Sequence, residues 1–186
     1  MTPTIILGIL LAGIFSNNYA LLHFLGTVAV IENERSNRRS LLLGLGITVV
    51  MVVSTLISWP INKFLLADFP YFRTMAFVIV ILMVVEIVHL IIKNTVEVFC
   101  KVDFIKFAIN GAVLGLCIHN AELGILEATL TALAVGIGFT VVITIFGALH
   151  AKIDEEAVPA AFRGLPISLL CAGMIALALL SFTFSF

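Results

Sequence analysis

The sequence predicts an all-α polytopic membrane protein with six transmembrane helices, arranged as two inverted three-helix repeats. Composition, the spacing of apolar stretches and an internal repeat all point to this fold class. Of the 186 residues, 62% are hydrophobic and only 11% are charged, and the mean hydropathy is +1.24. A soluble domain has about 25% charged residues, so these few charges are too sparse to cover a water-exposed surface. The lipid bilayer is therefore the predicted solvent.

Six apolar stretches are long enough to cross a hydrocarbon core, which needs about 20 residues of helix. These predicted spans are residues 4–31, 40–58, 74–92, 104–121, 126–149 and 165–186. The connections between them are short, and no linker divides the chain. We therefore expect one membrane domain, residues 1–186, with repeat one at about 1–93 and repeat two at about 94–186.

The basic residues set the expected orientation, because Lys and Arg near span ends are retained in the cytoplasm. Only Lys63 and Arg73 lie on one side of the predicted membrane. The connections on the other side hold the remaining eight of the ten basic residues: Arg35, Arg38, Arg39, Lys93, Lys101, Lys106, Lys152 and Arg163. Both termini are therefore predicted to face outside.

An internal repeat relates the two halves of the chain. The segment GLGITVV at 44–50 recurs as GIGFTVV at 136–142, and NYALL at 18–22 recurs as NGAVL at 110–114. Both matches have an offset of 92, and Phe-Arg at 72–73 recurs at 162–163 with an offset of 90. A repeat of three spans, an odd number, inserts its second copy upside down, so the two copies are related by a pseudo-two-fold axis in the membrane plane.

Polar residues in the first and fourth spans predict that these two helices are discontinuous. Asn17, Asn18 and His23 fall within the first span, which at about 28 residues would be about 42 Å long as one helix and exceeds the hydrocarbon core. Asn110 followed by Gly111 lies within the fourth span. These side chains either line a functional site at the break or serve as interhelical hydrogen-bond contacts, which membrane bundles also use.

The third span carries an ionisable pair, Glu86 and His89. Their spacing of three residues places them on one face of a helix. A carboxylate within the bilayer is costly to keep. Glu86 therefore either belongs to an ion or proton pathway or pairs internally with His89.

Several classes of function are disfavoured by composition and motifs. The net charge of −1 gives no reason to expect nucleic acid as a partner. The three cysteines, Cys100, Cys117 and Cys171, form no CxxC motif, so a self-contained metal site is not expected. No HExxH motif or phosphate-binding glycine loop supports hydrolytic chemistry.

The chain resembles the integral membrane subunits of the Rnf and Nqr ion-translocating oxidoreductases, the RnfA/RnfE and NqrD/NqrE family, nearest the RnfA/NqrE side. The resemblance covers nearly the whole length. It rests on NNYALLHFLG at 17–26, FRTMAF at 72–77, NGAVLG at 110–115, GFT at 138–140, VPAAFRGLPI at 158–167 and AGM at 172–174.

This resemblance implies an intramembrane [2Fe–2S] cluster held between two paralogous subunits inserted in opposite orientations. Each paralog would supply one cysteine from the broken part of the first helix and one from the fourth. In this chain those positions are Val28 and Gly111, which have no thiolate. We therefore expect this chain alone to bind no cofactor.

The leading hypothesis is an integral membrane subunit of an Rnf/Nqr-type electron-transfer and ion-translocating complex, without catalytic residues of its own. Its expected partners are the lipid bilayer, an inverted paralogous subunit or a second copy, and further membrane, flavin and iron–sulfur subunits. The expected location is the cytoplasmic (inner) membrane of a bacterium or archaeon. The alternative is a cysteine-less homologue reused as a small ion or solute transporter or channel, with Asn17, Asn18, Asn110 and Glu86 along its path.

Overall fold

The computed structural model describes residues 37–66, 69–93, 109–154 and 158–183, together with the single position 8. Five α-helices form the described part: α1, Asn37–Phe64; α2, Arg73–Lys93; α3, Gly111–Asn120; α4, Ile125–His150; and α5, Leu165–Thr183. Short 3-10 turns at Pro70–Phe72 and Ala160–Phe162 precede α2 and α5. Every regular element in these ranges is helical, as the sequence predicts.

Three segments are long and apolar enough to cross a bilayer: Ser40–Phe64, Pro70–Ile91 and Ile125–His150. They correspond to the second, third and fifth predicted spans, and α3 and α5 fall in the fourth and sixth. The first predicted span, residues 4–31, lies outside the described residues. The all-helical class and the apolar character of the spans are therefore confirmed.

The end of α1 differs from the sequence prediction. The second span was expected to end at residue 58, before Pro60, but α1 continues through Pro60 to Phe64. Proline removes one backbone hydrogen bond, which a membrane helix tolerates when neighbouring helices and side chains compensate. The predicted start of the fourth span, residue 104, lies outside the described residues; within the described part, Ile109 and Asn110 are not helical and α3 begins at Gly111.

The centre of the fold is the long contact between α1 and α4. Thr48 Oγ1 lies 3.1 Å from Thr140 Oγ1, and the two residues are 92 positions apart. A Cβ added at Gly44 would lie 2.8 Å from the Thr140 backbone, and one added at Gly136 would lie 2.5 Å from the Thr48 side chain. Each helix thus presents a glycine to the threonine of the other. Glycines allow this close approach, which drives helix association where lipid supplies no hydrophobic force.

The burial patterns of α1 and α4 also match at this separation. Leu43, Ile47, Val50 and Met51 are buried in α1, as are Val135, Phe139, Val142 and Ile143 in α4, while Leu45, Val49, Ile137 and Val141 face outward. Contacts that are reciprocal between equivalent positions are what a two-fold axis produces.

The remaining helices pack around this pair. α2 and α3 contact α1 and each other, and α5 packs on α4. Phe77 of α2, Leu116 of α3 and Phe146 of α4 are among the largest fully buried side chains in this core. The result is a helical bundle in which α1 and α4 are central and α2 and α5 are peripheral.

Candidate functional site

The non-helical segment at Ile109 and Asn110, directly before α3, is the first feature of the candidate site. Asn110 has extended backbone angles, φ −132° and ψ 158°, and its side-chain oxygen accepts a hydrogen bond of 3.1 Å from the Val113 N–H. This is an N-cap, which satisfies one of the backbone donors that the first helical turn leaves free. The asparagine predicted from the sequence therefore marks the point at which α3 begins.

The helix α3 is short for a membrane span. Its 10 residues rise about 15 Å at 1.5 Å per residue, which is about half of a 30 Å hydrocarbon core. The N-terminal end of a helix carries partial positive charge. If α3 ends at one membrane surface, this positive end lies near the midplane.

A cavity of about 220 Å³ opens beside this break, between α2 and α3. Its lining is almost entirely apolar: Val78, Ile81, Leu82, Ile109, Asn110, Gly111 and Leu114. Gly111 contributes no side chain, which leaves space at the first residue of α3. The cavity therefore has room for an apolar group, and it offers few polar contacts.

Glu86 lies on the same face of α2 as this cavity, because residues 78, 82 and 86 follow one another at helical intervals of four. The Glu86 side chain is exposed, and His89 is half-buried. The described residues show no hydrogen bond or ion pair on the Glu86 carboxylate. The described residues therefore do not show an internal pair between Glu86 and His89.

Four of the residues singled out in the sequence lie outside the described ranges: Asn17, Asn18, His23 and Val28. The structure brings together Asn110, Gly111 and the cavity-lining face of α2, and it places Glu86 farther along that face.

Comparison with known proteins agrees with this architecture. Residues 6–186 match the family described as "Rnf-Nqr subunit, membrane protein". The chain belongs to the Rnf-Nqr family. Among its curated relatives, the A subunit of the ion-translocating oxidoreductase complex of Pseudomonas paraeruginosa is 33% identical over 94% of each chain. The same subunit of Syntrophotalea carbinolica is 32% identical over 94% of each chain, and that of Serratia proteamaculans 31% over 90%.

Within this Rnf-Nqr fold, the residues at the break do not fit the ligands of an iron–sulfur cluster. Clusters are held by cysteine thiolates, but Gly111 has no side chain, and the Asn110 oxygen already caps α3. Cys117 lies about 9 Å farther along the helix axis, is 1% exposed and hydrogen-bonds with Ser58 and Thr55. The described residues contain no group of three or more His, Cys, Asp or Glu arranged to hold a metal ion.

Two features of the site region were not found by sequence reasoning. Asn120, at the end of α3, is 1% exposed, and its Nδ2 donates to the Ala128 carbonyl at 3.1 Å and to Thr55 Oγ1 at 3.4 Å. It ties the end of α3 to α1 and α4. Asn120 is next to the α3–α4 turn in sequence, and polar residues beside turns are usually exposed. The sequence therefore did not indicate that Asn120 is buried.

The direct contact between Thr48 and Thr140 was also missed, although the sequence held a signal for it. Both residues occupy the same position in the repeated segments 44–50 and 136–142. In a two-fold arrangement a residue near the axis meets its own repeat mate. The strongest match between the two halves of the sequence therefore marked a contact in the structure.

Proposed function

We propose that this chain is an integral membrane subunit of an Rnf/Nqr-type electron-transfer and ion-translocating oxidoreductase complex. The observation that carries the proposal is the match, over 94% of both chains and at 33% identity, to the A subunit of such a complex. Long apolar helices in the described residues agree with a protein embedded in the bilayer. Fold resemblance alone would not carry a function, but a match along almost the full length to one named subunit does.

The architecture we propose is six spans in two inverted repeats. The reciprocal Gly44–Thr140 and Gly136–Thr48 approaches support it, and so does the matching burial at a separation of 92. The late start of α3 at Gly111 supports discontinuous first and fourth helices, which such repeats use to build sites near the midplane.

In this proposal the chain holds no cofactor by itself. Gly111 occupies one of the two positions where the family resemblance expects a cysteine, and the nearest described thiol, that of Cys117, faces α1. Any intramembrane cluster in the assembled complex would need its ligands from other subunits. The role of this chain is then to complete the membrane scaffold and to line the ion path.

The proposed partners are an inverted paralogous subunit or a second copy, together with other membrane, flavin and iron–sulfur subunits. The exposed Glu86 supports a partner or an aqueous path against α2, because a carboxylate left in hydrocarbon costs about 3 kcal/mol even on the insertion scale. About a third of the α2 span is buried, against more than half of the α4 span. Among the three long spans, α2 therefore has the most surface left for a neighbour.

The proposed location is the cytoplasmic membrane, with both termini outside. Asn110 and Glu86 are the described candidates for the ion path, and Asn17, Asn18, His23 and His89 complete the set proposed from the sequence.

Purification of the tagged chain from its native membrane in mild detergent tests the function. We expect flavin-bearing and iron–sulfur subunits to co-purify in fixed stoichiometry and the preparation to oxidise an electron donor. A matched preparation tagged on an unrelated six-span protein is the control. Recovery of the chain only as copies of itself, with solute transport activity in vesicles, would overturn the proposal in favour of the transporter alternative.

A further inference from the structure

A second pocket, remote from the break before α3, lies where α1 ends and the α3–α4 turn begins. It has a volume of about 230 Å³ and is lined by Trp59, Asn62, Lys63, Ala121, Glu122 and Leu123. This volume is below the range of about 300 to 1,000 Å³ found for typical small-molecule sites. It therefore suits a group of few atoms rather than a large ligand.

The walls of this end pocket are fixed by hydrogen bonds between α1 and the turn. Trp59 Nε1 donates to the Leu123 carbonyl at 2.8 Å, and Asn62 Nδ2 donates to the Ala121 carbonyl at 3.1 Å. The Lys63 ammonium lies over the Trp59 ring, 4.7 Å from its centroid. The pocket is thus formed before any ligand arrives.

Two buried polar atoms, one in the lining of the end pocket and one on a residue that contacts its Glu122, have no hydrogen-bond partner within the described part of the chain. One is Asn62 Oδ1, which accepts, and the other is Arg73 Nε, which donates. Arg73 reaches the pocket through Glu122, whose Oε1 lies 3.4 Å from an Arg73 terminal nitrogen. An unmet buried acceptor and an unmet buried donor are each costly, and together they call for a ligand that both donates and accepts.

The charges of the end pocket also favour a ligand that carries both a positive and a negative group. Lys63 and Arg73 are cations, and Glu122 is an anion. A purely anionic ligand would meet the Glu122 carboxylate, and a purely cationic one would meet Lys63. A zwitterion can place its phosphate against the two cations and its primary ammonium against the Glu122 carboxylate. A quaternary ammonium has no N–H group for Asn62 Oδ1, so the ethanolamine headgroup fits better than choline.

The position of the pocket at the ends of the apolar spans indicates which kind of molecule carries this zwitterion. The apolar segments of α1 and α2 meet at this end, at Phe64 and Pro70. Exposed aromatic side chains lie at this end of α1 and α2: Phe64, Phe69, Tyr71 and Phe72. Aromatic residues concentrate at the level of the lipid headgroups. The pocket thus lies where phospholipid headgroups are the most abundant phosphate compounds.

We propose that the end pocket binds the headgroup of a phosphatidylethanolamine lipid. The phosphate accepts from Arg73 and from the Lys63 ammonium, and the lipid ammonium donates to Asn62 Oδ1 and pairs with Glu122.

Native mass spectrometry of the purified full-length chain tests this assignment. The probes are phosphatidylethanolamine, phosphatidylcholine and phosphatidylglycerol with identical acyl chains. We expect the ethanolamine lipid to be retained about tenfold more than the others, and Lys63→Gln or Glu122→Gln to lower that retention about tenfold, as for loss of one charge-assisted contact. Glu127→Gln, near the same end, and Lys152→Gln, at the other, are matched controls and should retain the lipid.

Glu122 is well exposed, with a side chain 78% accessible, so its substitution should not affect folding. Equal retention of the three lipids, preference for phosphatidylglycerol, or unchanged retention in Glu122→Gln would overturn the proposal. Soluble glycerophosphoethanolamine at the same concentration should not displace the lipid. Displacement by it would overturn the membrane lipid as the occupant.

Discussion

Thr48 and Thr140 stabilise the centre of the bundle in a way that only small neighbours allow. Each threonine hydroxyl lies within hydrogen-bond distance of the Gly44 or Gly136 carbonyl of its own helix, and the two hydroxyl oxygens lie 3.1 Å apart. Since each hydroxyl has one proton, one threonine donates across to the other, which in turn donates within its own helix. In membranes such interhelical hydrogen bonds contribute about 0.6 kcal/mol on average, so most of the stability comes from the close packing itself. The glycines are what make that packing possible.

Gly44→Ala should destabilise the protein. Its new Cβ would lie 2.8 Å from the Thr140 Cα, a backbone atom that no rotamer change can move. Overpacking of this kind costs about 1–3 kcal/mol, and we expect a lower melting temperature by circular dichroism in detergent. Gly173→Ala in α5 is the control, since nothing lies within 4 Å of its added Cβ. Equal melting temperatures for both variants would contradict the α1–α4 geometry.

Glu86→Gln tests the candidate ion path at the level of one side chain. The change keeps the size of the exposed Glu86 and removes its charge, so assembly should be unaffected. We expect ion translocation by the intact complex to fall about tenfold or more, as for loss of an ionisable relay group. Vesicle uptake measurements at equal complex content would check this, with Glu127→Gln as control. Unchanged uptake would remove Glu86 from the path.

The start of α3 lies where the sequence predicts a break, but residues 104–108, the first part of the predicted fourth span, lie outside the described residues. The Asn110-Gly111 pair was predicted to break the fourth span, and α3 begins at Gly111 with Asn110 as its N-cap. The cavity at this break depends on which face α2 turns toward Gly111, and tertiary packing decides that. The Asn110-Gly111 pair in the sequence indicated where α3 begins, and only the packed helices defined the space beside it.

Other helices show why boundaries are predicted unequally. α4 was predicted at 126–149 and is observed at Ile125–His150, because it is apolar throughout and Gly124 precedes it. α1 extends past the predicted end at residue 58 because Trp59, Asn62 and Lys63 still pack on or beside the α3–α4 turn. Those contacts lie 59 to 64 residues away in sequence, so no local pattern could indicate them.

The N-cap of α3 can be tested as an element. Asn110→Ala removes the acceptor for the Val113 N–H, and the loss of such a cap costs about 1 kcal/mol. We expect faster hydrogen exchange in the first turn of α3 and a lower melting temperature. Asn110→Asp keeps an acceptor in the same position and should restore the exchange protection. Equal exchange in all three proteins would show that the cap does not hold the helix start.

At the scale of the whole molecule, the chain combines the scaffold of a redox subunit with an absence of thiolates at the expected positions. If it brings no cluster ligand, its cysteines are dispensable for iron. A variant with Cys100, Cys117 and Cys171 all changed to Ser should assemble and leave the iron content of the purified complex unchanged. Iron analysis per mole of complex checks this, with the wild-type complex as reference. A loss of about two iron atoms per complex would refute the proposal, since a [2Fe–2S] cluster contains two.

The inverted repeat makes a topological prediction that distinguishes six spans from five. An even number of spans places both termini on one side, and the eight-to-two distribution of Lys and Arg places that side outside. Alkaline phosphatase fused after Phe186 should therefore be active, and green fluorescent protein fused there should be dark. A fusion after Lys93, which follows the third span, should give the opposite result and serves as the control.

The side of the membrane on which the N-terminus lies distinguishes six spans from five. If residues 4–31 cross the membrane, a tag before Met1 lies outside and is accessible to an impermeant reagent in intact cells. If that segment does not cross, the C-terminal result is unchanged but the N-terminal tag is protected. Protection would mean two spans in the first half and three in the second. Two such halves cannot be inverted copies, because inversion requires each repeat to have an odd number of spans.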